Sequence, residues 1–311
     1  MESVLITGGT GLIGKTLTQQ LVKKDYQVII LTRKMPAENK SISNVKYALW
    51  NVKAKIIDIK AIQEADHIIH LAGAGVVDKR WSNAYKKEII DSRTESAALL
   101  VQSMQQHDNK IRTVVSASAI GWYGPDTNET YGKNGFTETA APAKDFLGET
   151  CRLWEESVNP AIQLGKRVVK LRTGIVLSSD GGALEEFKKP LKFGVAAILS
   201  KGKQMVSWIH VDDLCRIYIE ALKNEKLNGS YNAVAPTPVT NKSLTLELAH
   251  IVKGKFFIPM HVPSIALKIM MGESSVEVLK SCTVSCEKIK NAGFTFLYPS
   301  LEAALSNLCG K

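Results

Sequence analysis

Apolar residues in this chain fall into short, β-branched runs separated by longer stretches with helical spacing. Val4-Leu5-Ile6-Thr7, Val28–Leu31, Ile68–Leu71, Thr113–Ser116 and Val168–Leu171 read as strands. Between them, Leu12–Lys24, Trp81–Gln106 and Phe146–Leu164 carry the pattern of helices. Continuous apolar strands alternating with helices predict a parallel sheet covered on both faces, a doubly wound α/β fold. After Gly174 the regularity breaks. Ser178–Lys203 is mixed, Ile209–Leu222 reads as strand then helix, and Ser230–Val234 is short and β-like. Pro236-Thr237-Pro238 marks a boundary, followed by two helical patterns, a Pro-bounded loop at Ile258–Pro263, and a closing helix from Ser300. The expected architecture is a larger α/β domain over 1–177 and 206–235, interleaved with a smaller α/β lobe over 178–205 and 236–311.

Length fits this division, since 311 residues exceed one small module. No stretch approaches the roughly 20 apolar residues of a membrane-spanning helix. The nearest candidate, Ile258–Gly272, is interrupted by His261, Pro263 and Lys268. The N-terminus lacks a basic region and cleavage site, so the expectation is a cytoplasmic protein without membrane partners. Net charge is +10, but 40 basic residues are interleaved with 30 acids and no more than two adjoin anywhere. Scattered lysine reads as solvated surface, and no nucleic-acid partner is expected. The basic balance suits an anionic cofactor or substrate. Five dispersed cysteines read as reduced thiols, and neither they nor the six histidines show metal-ligand spacing. A small-molecule partner and a homodimer are the expectations for binding and assembly.

Thr7-Gly8-Gly9-Thr10-Gly11-Leu12-Ile13-Gly14 follows the first strand and opens the first helix. Gly8 permits a tight turn, Gly11 lets backbone amides approach a diphosphate, and Gly14 lets helix and strand pack closely. A diphosphate then sits on Leu12 and Ile13 at the helix N-terminus, where unpaired N–H groups favour an anion. The second strand ends Leu31-Thr32-Arg33-Lys34 without the carboxylate that binds a ribose diol. Arg33 and Lys34 suit a 2′-phosphate, which points to NADP(H) rather than NAD(H).

Together with His70-Leu71-Ala72-Gly73, Ser116-Ala117-Ser118-Ala119, Tyr123-Gly124 and Ile209–Leu214, this turn resembles an extended short-chain dehydrogenase/reductase with a Rossmann-type sheet. Further blocks resemble an atypical branch, the NAD-dependent "epimerase family", also labelled SulA-type cell-division inhibitors. They are Asp78–Trp81, Asp91-Ser92-Arg93, Phe146-Leu147 through Trp154-Glu155, Arg172–Leu177, Gly202–His210 and Tyr231–Pro236. The likeness spans Val4 to about Leu305, departing from the pattern at Gly194–Ala197. It implies that Leu71, Ala72 and Gly73 pass beneath the adenosine and diphosphate of the cofactor. It also implies that Arg93 stands where relatives carry an Asn near the nicotinamide ribose, with Glu88 near that face and Val176 at the nicotinamide end.

The parent superfamily uses a Tyr with a Lys four residues later, the Lys lowering the phenol pKa. None of the eight tyrosines here has Lys at that spacing. The helix that should carry the pair places Phe146 or Leu147 at the Tyr position and Thr150 or Cys151 at the Lys position. Ser118 is favoured over Ala119 for the serine role, with a turn hydroxyl as the plain reading of Ser118. Tyr123 is the nearest substitute acid, with a packing aromatic as its plain reading. Glu138, Lys144 and Glu149 are further donors in sequence reach. Trp208 and His210 read as lobe-junction residues, and Asp212 and Asp213 as helix caps. No arginine follows Arg216, so a nucleotide-sugar diphosphate would meet lysines rather than arginine forks. Two readings follow: an NADP(H)-dependent oxidoreductase or epimerase-like enzyme acting on a small molecule, or a catalytically silent NADP(H)-binding regulator.

Overall fold

The computed structural model describes residues 1–36 and 43–310. Its strands are β1 (Ser3–Thr7), β2 (Gln27–Thr32), β3 (Val45–Asn51), β4 (Ile56–Ile57), β5 (His67–His70), β6 (Thr113–Ala119), β7 (Arg167–Thr173), β8 (Ile175–Ser178), β9 (Gly181–Gly182), β10 (Val195–Leu199), β11 (Met205–Val206), β12 (Trp208–His210), β13 (Gly229–Ala233), β14 (Val239–Thr240) and β15 (Ile258–Val262). Helices α1 (Leu12–Val22), α2 (Ile59–Glu64), α3 (Asn83–Gln106), α4 (Phe146–Val158), α5 (Pro160–Gln163) and α6 (Ala183–Leu191) precede α7 (Val211–Lys223), α8 (Asn241–Lys253), α9 (Ser264–Met271), α10 (Val276–Leu279), α11 (Glu287–Asn291) and α12 (Leu301–Cys309).

The main sheet has eight strands in the order β13-β7-β6-β5-β1-β2-β3-β4. All neighbours pair in parallel except the terminal β3–β4 pair. Strand order reverses direction between β1 and β5, and in such sheets ligands bind beyond the carboxyl ends at that switch point. Alternation within β1 separates two cores. Val4 and Ile6 pack with Leu17, Leu21, Leu214 and Tyr218 on one face, while Leu5 packs with Ile68, Ala97 and Leu100 on the other. A third core joins Leu177, Leu184, Trp208, Leu244, Leu248 and Leu305. The parallel doubly wound sheet of the sequence reading is present.

Several local expectations change. The helix over Phe146–Leu164 is interrupted: α4 ends at Val158 and Pro160, which has no N–H to donate, starts α5. The segment read as a loop at Ile258–Pro263 is mostly strand β15, paired in parallel with β10. Pro259 is tolerated there because β15 is an edge. Strand β3 was absent from the sequence reading. The N-cap of α7 is His210, whose Nδ1 accepts from the Asp212 N–H at 3.0 Å, so Asp212 and Asp213 are not the caps. Asp213 is fully buried and accepts from the N–H groups of Leu297 and Tyr298 at 2.8 and 2.9 Å. Cys282, Val284, Ile289 and Phe294, from near the end of the chain, pack into the core of α1 and α7 and brace the larger lobe.

Candidate functional site

The glycine turn sits at the carboxyl end of β1. Gly8 has φ +69°, and an added Cβ would meet the Leu71 carbonyl carbon at 3.0 Å. At Gly14 a Cβ would lie 2.3 Å from the Gly8 carbonyl oxygen, so both positions exclude side chains. Gly11 is the N-cap of α1 and supplies no side-chain hydrogen bond, and the first turn holds no acid. Thr10 and Gly11 are exposed, with Leu12 and Ile13 half-buried beside them. The helix therefore presents uncapped amides on an open surface, the arrangement that receives an anion. Thr32 ends β2, next in the sheet, and its hydroxyl donates to the Lys34 carbonyl at 2.9 Å. Arg33 and Lys34 are exposed there.

The end of β5 is fastened to this turn. Thr7 Oγ1 accepts from the N–H groups of Leu71 and Ala72, each at 3.1 Å, and meets His70 Nδ1 at 2.7 Å. With its lone pairs taken, the hydroxyl donates to Nδ1, leaving the His70 proton on Nε2, which faces Ser96 Oγ at 3.3 Å. Burial pushes His70 down to about 4, consistent with a neutral ring. The following loop is held from both sides: Ser92 Oγ on α3 accepts from the Ala74 N–H at 2.9 Å, and Trp81 Nε1, ahead of α3, donates to the Val76 carbonyl at 2.8 Å.

Arg93 lies in this floor. It is buried, donates to the Ile89 carbonyl at 2.8 Å and stacks 4.8 Å over Trp154. A Cβ on Gly73 would meet its guanidinium carbon at 3.1 Å. No carboxylate pairs with Arg93 among the described residues, and burial lowers its pKa. A guanidinium with five donors, one protein hydrogen bond and no counter-charge is costly unless a ligand completes it. Glu88 does not share this face; it is exposed and pairs with Lys79 at 3.5 Å. Val176 is half-buried on β8, in register with Ile209.

Ser118 and Tyr123 are drawn into a different cluster. Ser118 Oγ donates to Glu155 Oε1 at 2.8 Å, and Arg172 binds both oxygens of Glu155, from Nε at 2.7 Å and Nη2 at 3.1 Å. Tyr123 Oη donates to Asn232 Oδ1 at 2.7 Å and accepts from Arg172 Nη1 at 3.1 Å. Glu155, Arg172, Ser118 and Tyr123 are all buried. Burial pushes the phenol up to about 12. Sequence reasoning quoted Glu155 and Arg172 separately but not their pairing. They lie on α4 and β7, joined only by the fold. On α4, the Leu147 and Cys151 side chains lie near Gly121, where a Cβ would meet Leu147 Cβ at 3.3 Å and Cys151 Sγ at 3.4 Å. Burial pushes the Cys151 thiol up to about 12, so it stays protonated.

A cavity of about 700 Å³ opens where α9 and α10 face Pro125 and Asp145. Arg80 donates to the carbonyls of Ile269 and Met270, and Lys86 pairs with Glu273, tying this segment to the start of α3. Among the described residues there is no cluster able to hold a metal ion, and no helix is long and apolar enough to cross a membrane.

Comparison with known proteins places these features in context. Residues 4–145 match the NAD dependent epimerase/dehydratase family, and 262–308 match a domain of unknown function, DUF1731. An epimerase family protein of Staphylococcus saprophyticus is 36% identical over 99% of both chains. The structure of human epimerase family protein SDR39U1 with NADPH aligns with a TM-score of 0.85 and 25% identity, over 99% of both chains. A nucleoside-diphosphate sugar epimerase from Corynebacterium glutamicum aligns with a TM-score of 0.77 and 31% identity, covering 99% of this chain and 58% of that one.

Proposed function

This chain belongs to the epimerase family, a set of atypical extended short-chain dehydrogenase/reductases, and is an NAD(P)-binding, epimerase-like protein; we propose that it is an NADP(H)-dependent oxidoreductase or epimerase-like enzyme acting on a small molecule. The observation that carries this reading is the unbalanced positive cradle formed by the uncapped α1 N-terminus and buried Arg93, linked through Leu71–Gly73. In it, the amides of Leu12 and Ile13 hold the diphosphate, Arg33 and Lys34 take the 2′-phosphate, and Arg93 donates to the ribose or phosphate oxygens. The NADPH in the human relative's structure supports the phosphorylated form. We assign the cofactor lobe to 1–177 and 206–235 and the substrate lobe to 178–205 and 236–311.

The cofactor, when bound, supplies or accepts hydride at its nicotinamide ring. The chain's residues fix its position and shield it. The Thr7–His70–Ser96 chain holds the floor rigid and carries no mobile proton, because His70 stays neutral with both nitrogens engaged. In this reading Ser118 and Tyr123 are positioning residues: their network with Glu155 and Arg172 fastens α4 to β6, β7 and β13. A phenol with a pKa of about 12 does not exchange protons usefully near neutral pH. Handling of the substrate oxygen falls to the groups lining the cavity between the lobes.

The sealed Ser118 and Tyr123 favour the second reading, a cofactor-binding regulator without turnover. Monitoring NADPH oxidation against a panel of aldehydes, ketones and oxo acids separates the two. Turnover above the cofactor's background decay is expected for the enzyme, and NADPH binding without oxidation by any of them selects the regulator.

A further inference from the structure

The cavity between the lobes is lined by Lys280, whose side chain is only 7% exposed. An ammonium has three donors. Here Nζ makes one long hydrogen bond, to the Tyr123 carbonyl at 3.3 Å. Glu277 Oε1 pairs with it at 3.5 Å without a hydrogen bond and finds no other partner. A largely buried ammonium with an ion pair but only one of its three donors in a hydrogen bond can take a further acceptor from the cavity. The other charges sharpen this. Asp145 is engaged as the cap of α4, accepting from the Gly148 N–H at 2.8 Å, and Glu273 is paired with Lys86. Lys268 lines the same cavity with no ion-pair partner among the described residues. It lies one turn from Ser264, the first residue of α9, whose cap Pro263 supplies no side-chain hydrogen bond. Pro125, Val276 and Leu279 give the remaining wall an apolar character.

We infer that this cavity binds a small organic carboxylate with an apolar body, its carboxylate received by Lys280 and its charge balanced further by Lys268. The volume suits one such molecule. A single carboxylate matches lysine point charges, whereas a diphosphate calls for arginine forks, absent beyond Arg216. Burial raises the Glu277 carboxyl pKa, with the Lys280 ammonium opposing. The assignment rests on reading the junction as the substrate site, and it names the substrate class for that reading.

Octanoate, with octanol as its uncharged counterpart, tests the inference by calorimetric titration of the full chain. Octanoate is expected to bind at least tenfold more tightly than octanol. Lys280→Met and Lys280→Gln should each weaken octanoate at least tenfold while leaving octanol within about twofold. Gln preserves a donor to the Tyr123 carbonyl, so agreement between the variants excludes misfolding as the cause. Absence of octanoate binding, equal binding of both probes, or unchanged affinity in either variant overturns the site. NADPH titration of the same samples separates the two readings: octanoate binding without NADPH binding leaves this site standing and removes the cofactor assignment.

Discussion

Replacing Arg93 with Met should separate cofactor affinity from stability. The substitution keeps the unbranched bulk over Trp154 and removes the charge. In the free protein Arg93 contributes one hydrogen bond, to Ile89 at 2.8 Å, and a stacked contact at 4.8 Å. Those are worth about 1 kcal/mol and about 0.5–2 kcal/mol respectively. Against them stands the desolvation of a guanidinium with no carboxylate partner, which costs several kcal/mol in a protein interior, on the order of the two gains combined or more. Arg93→Met should therefore leave the free protein equally stable or slightly more stable. In the complex the loss is one-sided. A charge-assisted hydrogen bond to a ligand oxygen contributes about 1.5–3 kcal/mol, or about 10- to 150-fold in affinity. Urea unfolding of the free protein and fluorescence titration with NADPH read the two quantities independently. A variant that unfolds more than about 2 kcal/mol more easily, or that binds NADPH as tightly as the parent, would refute the idea that Arg93 awaits an anion.

Removing the carboxylate in Glu155→Ala leaves Arg172 buried and unpaired, and should cost about 3–5 kcal/mol in urea unfolding. A loss below about 1 kcal/mol would mean that the network does not fasten α4 to the sheet. Tyr123→Phe should leave any turnover's pH profile between pH 6 and 9 unchanged in shape, since the phenol's pKa is pushed up to about 12; loss of a profile limb in that range would make Tyr123 a proton donor. Burial pushes His70 down to about 4 in the folded chain, against about 6.5 unfolded. Its stabilising contribution is thus complete above pH 6.5 and lost as pH falls toward 4, to a total of about 3 kcal/mol. Unfolding curves at pH 7.5 and 4.5 should show this slope, and His70→Gln should flatten it.

Local signals made the large lobe readable. Five apolar runs and a glycine turn at the first strand end are dictated by neighbours in sequence, and the fold places them as expected. Strand β3 escaped because Val45–Asn51 alternates buried and exposed positions at the edge side of the sheet, without a continuous apolar run. Strand β15 escaped because its residues are largely exposed and it contains Pro259, so neither burial nor propensity marks it. The floor of the site was half legible: Gly8, Gly73 and Arg93 were named, but the missing counter-charge at Arg93 belongs to three dimensions. The same holds for the pairing of Glu155 with Arg172 across 17 residues, and for Lys280 reaching the Tyr123 carbonyl across 157. Such contacts join elements whose adjacency only the complete sheet determines.

The choice of NADP(H) is tested most directly by titrating the protein and its Arg33→Ala, Lys34→Ala double variant with NADPH and with NADH. The parent should bind NADPH at least tenfold more tightly than NADH. The double variant should lose that preference by weakening NADPH while leaving NADH within about twofold. Tighter binding of NADH by the parent, or equal weakening of both cofactors in the variant, would contradict the assignment.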